Sequence, residues 1–156
     1  MNISAALLLN ETNMQNLQTA KKRLSEKSLT LSVVKDGEVI FENASHGIHG
    51  FLEAIEKLGH RLKGASVADR VAGKAIALLC VYAEVKEVYA VTLSKGAESV
   101  FEKYAVYHEW ENLVENILET DKTKICPFEK LVTEISNPKE AYRKLKALQS
   151  SLKQCR

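Results

Sequence analysis

The sequence predicts an α/β fold, a three-layer α/β/α sandwich around a mixed sheet. Three observations predict it. "LTLSVVKDGEVIFEN" places two β-rich runs on either side of Asp36-Gly37, a pair suited to the positive φ angles of a tight hairpin turn. After the hairpin, helical and extended patterns alternate, an order that yields a sheet with helices on its faces. Within that stretch, "VADRVAGKAIALLCVYAEV" is apolar on nearly all sides, as befits a central helix covered from several directions.

The elements follow in order. "NMQNLQTAKKRLSEKS" carries Met14, Leu17 and Leu24 on a helical period with polar residues between them, which predicts a modestly amphipathic helix. Strands near 29–35 and 38–43 pair antiparallel through the hairpin. "SHGIHGFLEAIEKLG" sets Ile48, Phe51, Leu52, Ile55 and Leu58 on one helical face, with Gly59 as its C-cap. A loop at 60–66 leads to the apolar stretch, read as one helix from Val67, with Ser66 or Asp69 as its N-cap. "KEVYAVTLS" shows little alternation and predicts an interior strand. "KGAESVFEKY" is a short helix and "AVYHEWENLV" another strand or extended segment. After a polar excursion, "CPFEKLVTEIS" starts a helix with Pro127 in its first turn. Asn137-Pro138 ends it, and "KEAYRKLKALQSSLK" forms a terminal helix. No internal repeat or interdomain linker interrupts the 156 residues, so residues 1–156 form one domain with a core at about 28–145 and helical extensions at both ends.

Composition narrows the function classes. Twenty-two Lys and Arg against twenty Asp and Glu leave a net charge of +2. That balance argues against nucleic acid as a partner, because phosphates call for a concentrated basic face. The basic clusters at 21–23 and in the terminal helix read as solvated faces. No apolar run reaches membrane-spanning length, and the opening residues lack the basic region and cleavage site of a signal peptide. The three cysteines, Cys80, Cys126 and Cys155, are odd in number and widely spaced. They form no disulfide framework, and a reducing cytoplasm is the expected location.

The pieces "LKGASVADRVAGKAIALL", "VYAVTLSKGA" and "ICPFEKLV", in this order after a strand hairpin, resemble the DUF1893 family of uncharacterised prokaryotic proteins. The resemblance spans roughly residues 28 to 145, and "ADRVAGKAIALL" and "CPFE" are specific together. It implies a sandwich of cytidine deaminase-like fold with no established activity. A zinc deaminase holds its metal with a His or Cys at one helix start and two cysteines at another, and a Glu shuttles protons. The resemblance maps these starts onto Asp69–Lys74 and Cys126–Glu129. Residues 69–76 offer no His, Cys or Glu, so no zinc site and no cofactor are expected.

What remains is a cleft where two helix N-termini converge, presenting unpaired N–H groups and partial positive charge. Lys74 and the close-approach residue Gly73 suit it to a phosphate or carboxylate. Asp69 would accept hydrogen bonds from ligand hydroxyls, Cys126 and Glu129 would line the second helix start, and the glycine-flanked His46 would form a wall. The partner expected is a nucleotide- or nucleoside-like small molecule, with a homo-oligomer as a further expectation. Plainer roles stand beside these. Asp69 and Ser66 read equally as helix caps, Gly73 as a packing glycine, and Cys126 as a half-buried structural thiol. His46 and His49 have metal-binding spacing but no third ligand nearby in sequence. Two other functions stay open: a metal-independent enzyme using Lys74 with Cys126 or Asp69, and an interaction domain with a degenerate site.

Overall fold

Asp36 and Gly37 turn the hairpin with φ of 51° and 78°, the paired positive angles of a two-residue connection. The computed structural model describes residues 5–119 and 122–154, with side chains from 15 to 152 outside that gap. Helix α1 (Ala5–Glu26) precedes strands β1 (Leu31–Lys35) and β2 (Glu38–Asn43), which pair antiparallel. Helix α2 (His49–Leu58) and a single 3₁₀ turn lead into strand β3 (Ser66–Ala72) and helix α3 (Lys74–Tyr82). Strand β4 (Glu87–Ser94), helix α4 (Lys95–Lys103) and strand β5 (Tyr107–Val114) follow, then helices α5 (Pro127–Val132) and α6 (Pro138–Gln154). The strands form one mixed sheet in the order β2-β1-β3-β4-β5, antiparallel from β2 to β3 and parallel from β3 to β5.

The segment predicted as one helix from Val67 is a strand followed by a helix. Ser66 and Asp69 therefore cap nothing: both lie in β3, the middle strand of the sheet. The physical reason is that β3 is covered on both faces and shows no alternation between buried and exposed residues until its last turn. Val67 and Val71 fall by coincidence at helical spacing from Ala75 and Leu78, and periodicity cannot separate a short buried strand from a buried helix. Ser66 donates to Glu87 Oε1 of β4 at 2.9 Å instead.

Each face of the sheet is closed by its own apolar cluster. On one, Leu17, Ala20 and Leu24 of α1 pack on Val34, Ala68 and Tyr89; Met14 lies outside the described side chains. On the other, Phe51, Leu52 and Ile55 of α2, Ile76, Leu78 and Leu79 of α3, and Val100 and Phe101 of α4 share a core with Val33, Val67, Val88 and Leu93. Helices α5 and α6 add Phe128, Val132, Ala141 and Leu145 to it, and Tyr142 stacks on Tyr82 with centroids 4.3 Å apart. Because β3 and β4 run parallel and each is followed by its helix, the first turns of α3 and α4 lie together at the carboxyl ends of these strands. That is where ligands bind in open α/β sheets. Among the described residues, no helix is long and apolar enough to cross a membrane.

Candidate functional site

Ala72 ends β3, and Gly73, extended at φ −96° and ψ −174°, stands at the N-cap of α3 without a side chain to cap it. The first N–H groups of α3 thus need partners from elsewhere. Glu129 of α5 supplies them. Its Oε2 accepts from the Lys74 N–H at 3.0 Å and its Oε1 from the Ala75 N–H at 3.2 Å. The carboxylate fits only because Gly73 has no Cβ: one placed there would lie 1.8 Å from Oε1, 2.4 Å from Cδ and 2.8 Å from Cγ1 of Ile117. Pro127 opens α5, and the Cys126 N–H donates to the Ile117 carbonyl at 3.0 Å, which holds the start of α5 against this turn. Burial pushes the Glu129 carboxyl above its usual range; the N–H groups of Ala75 and Lys74 and the Lys74 charge pull the other way. The anion cradle read from the sequence at the start of α3 is therefore filled by the chain's own carboxylate.

The Lys74 side chain leaves this turn toward open space. Its Nζ donates to the Thr133 carbonyl at 3.0 Å, and among the described residues it forms no ion pair with a carboxylate. Two cavities share Lys74 and Gly96 as walls. One, of about 250 Å³, is also lined by Lys103, Ser99, Ser136, Tyr104, Leu78 and Val100, and no carboxylate lines it. The other, of about 230 Å³, adds Ser94, Glu115, Asn116, Glu129 and Thr133. Helix α4 begins between them, and Ser94 caps it by accepting from the Ala97 N–H at 3.1 Å.

The structure brings Gly73, Lys74 and Glu129 together and leaves the other sequence-predicted residues apart. Asp69 is interior and lines neither cavity. Its Oδ1 accepts from the Val71 N–H at 3.1 Å, and burial raises its pKa to about 7 against the pull of the Val71 and Arg70 N–H groups. Burial, with a smaller contribution from Asp69, pushes the Cys80 thiol well up. Cys126 is half-buried at the head of α5 and lines neither cavity. His46 is exposed in the turn before α2. His49 instead sits at the junction of three helices: its ring meets Phe128 of α5 edge-on at 5.8 Å and its Nδ1 lies 2.7 Å from Gln149 Nε2 of α6. Ser99, Lys103, Tyr104 and Ser136 were not singled out as one site by sequence. Only the i, i+4 spacing of Ser99 and Lys103 carries a signal for a shared helix face.

The starts of α3 and α5 offer few free donor atoms among the described residues. Both Glu129 oxygens are committed to backbone N–H groups, and Cys126 is the single thiol there.

Residues 19–148 match the family model described as TM1506, domain of unknown function (DUF1893). The crystal structure of the DUF1893 protein TM1506 from Thermotoga maritima superposes with a TM-score of 0.80 at 28% identity, covering 85% of this chain and 89% of that one. The dCMP deaminase from cyanophage S-TIM5 is similar with a TM-score of 0.46 at 15% identity, over 64% of this chain and 97% of that one. A Thermotoga maritima diaminohydroxyphosphoribosylaminopyrimidine deaminase/5-amino-6-(5-phosphoribosylamino)uracil reductase matches with a TM-score of 0.42 at 22% identity, over 81% and 42%. Comparison with the curated proteins finds no match.

Proposed function

Because the chain belongs to the DUF1893 family, whose description is of a domain of unknown function, its role has to be argued from the site; we propose that it binds a nucleotide- or nucleoside-like small molecule with the ligand's anionic group at Lys74. The observation that carries this reading is the placement of Lys74. Its ammonium stands between two cavities at the carboxyl ends of parallel strands and forms no ion pair among the described residues, and the first cavity adds a second lysine and two hydroxyls but no carboxylate. Each cavity alone is smaller than the usual range of about 300–1,000 Å³ for ligand sites, and Lys74 and Gly96 line both. Ser94 and Asn116 of the second cavity offer polar contacts, beside the carboxylates of Glu115 and Glu129.

This reading differs from two open helix N-termini. Glu129 occupies the one at α3, so the anion is met by side-chain charge. The enzymatic alternative built on Cys126 gains no support, since the thiol lines neither cavity.

Isothermal titration tests the proposal with inorganic phosphate, uncharged nucleosides and nucleoside 5′-monophosphates as probes. At least one monophosphate is expected to bind saturably and more tightly than its nucleoside. Lys74→Ala should weaken it at least tenfold, about 1.4 kcal/mol, at an unchanged melting temperature, and Lys57→Ala on α2 should have no effect. No saturable binding across the panel, or equal affinity in Lys74→Ala, would sink the proposal.

A further inference from the structure

Away from these cavities, a second group of chemistry-bearing side chains lies between α4 and β5. Glu98 and Glu102 stand four residues apart on α4 and so share a face, and His108 is the second residue of β5, on the side where its ring meets Phe101 of α4 at 5.4 Å. One donor atom from each of the three lies within 4.8 Å of the others. The imidazole is already oriented: His108 Nδ1 sits 2.8 Å from the Val106 carbonyl, so in its neutral form the ring donates Nδ1–H there and offers Nε2 as the acceptor. Metal-binding histidines are held in this way by a backbone carbonyl or carboxylate. The two cations of α4 are directed elsewhere, Lys95 to Glu115 and Lys103 over the Tyr104 ring. Two carboxylates and an imidazole therefore converge, with the Lys95 ammonium bonded to Glu115 and near enough to Glu98 to feel its charge.

We propose that Glu98, Glu102 and His108 form a binding site for a divalent transition-metal ion such as Zn²⁺, clipping α4 to the edge strand β5. One nitrogen and two oxygens suit such an ion better than Ca²⁺ or Mg²⁺, which take all-oxygen shells. Zinc–donor bonds of about 2.0–2.2 Å would draw the three atoms closer than they now stand. Glu102 is exposed and Glu98 half-buried, so both side chains have room to move in. Three protein donors leave a coordination position open to solvent. The site shares no residue with the Lys74 cavities and stands or falls independently of them.

The only tryptophan of the chain, Trp110, stacks on His108 with centroids 5.7 Å apart and planes 18° apart, and so reports on the site. The full chain, stripped with a chelator, is titrated with Co²⁺ while tryptophan emission and visible absorption are followed. Quenching that saturates near one equivalent and is reversed by Zn²⁺ is the expected result. The doubly substituted Glu98→Gln, Glu102→Gln chain, and separately His108→Gln, should each bind at least tenfold more weakly with unchanged far-ultraviolet dichroism, whereas Glu134→Gln should behave as wild type. Quenching that never saturates, or wild-type affinity in either variant, overturns the proposal.

Discussion

Gly73 and Glu129 act as one unit, because the missing Cβ of the first makes room for the carboxylate of the second. Gly73→Ala should expel the Glu129 side chain from the head of α3. A flexible side chain can retreat without moving the backbone, so the expected cost is the two N–H contacts it makes there. Loss of a helix N-cap sets the scale at about 1–2 kcal/mol, read from urea midpoints. Glu129→Ala should cost a similar amount, and the double variant little more than either single one, since both remove the same interaction. Additive losses would show that Gly73 matters for another reason, such as packing against Ile117. The sequence points to Gly73, Lys74 and Glu129 as candidate site residues, but their arrangement was not legible in it. The carboxylate and the N–H group that it caps are 55 positions apart, and nothing local signals that contact. The sequence therefore reads as an open anion cradle where the fold has closed one.

Helix α1 is the one element covering its face of the sheet among the described residues, and its attachments explain how it stays there. Arg23 forms a two-pronged ion pair with Glu42 of β2, at 2.8 and 2.6 Å, and Lys21 reaches Glu109 of β5 at 3.0 Å. These pairs touch the two edge strands, while Leu17, Ala20 and Leu24 lie over the middle of the sheet. The C-terminal end is held by β3: Arg70 donates from Nη2 to the Leu24 carbonyl at 3.0 Å and from Nε to the Leu29 carbonyl at 2.6 Å. A guanidinium at the negative end of a helix satisfies carbonyls that have no intrahelical partner. Arg70→Ala should destabilise the protein by about 1–3 kcal/mol, with faster amide exchange confined to residues 17–29. Uniformly faster exchange across the sheet would contradict this local role. At this scale the hairpin, α2, β4, α4 and α6 were legible from turn chemistry and periodicity, each an element with one clear face or a clear break. Strand β3 was not, because a strand buried on both sides has no alternation to read, and Gly73 supplies no side-chain cap to mark where the helix begins.

With 22 basic and 20 acidic residues, the molecule as a whole carries too little net charge for global repulsion to dominate its response to pH, so individual buried groups decide it. The mixed sheet between helices follows from the order of sequence patterns, but the most consequential of those groups, Asp69, is placed by the unread strand in the middle of that sheet. Its pKa is about 7 in the folded protein against 3.8 for a free carboxyl. The native state therefore holds this proton more tightly than the unfolded chain does, and the associated stability is lost as pH rises from about 4 to 7. Glu129 is shifted in the same direction by burial. Glu42 and Glu109 are shifted down, the opposite sign, but they belong to partly exposed ion pairs whose contribution is small. At about 1.4 kcal/mol per pH unit, Asp69 alone should cost about 3 kcal/mol between pH 5 and pH 8. Asp69→Asn keeps an oxygen to accept the Val71 N–H and removes the charge. It should flatten the profile and exceed wild type in stability at pH 8, with the difference shrinking toward pH 4. Urea unfolding of both chains at pH 5 and pH 8 measures this directly. Parallel profiles would mean that Asp69 ionises in the folded protein as easily as in the unfolded chain, and that the interior beside β3 is more hydrated than its burial indicates.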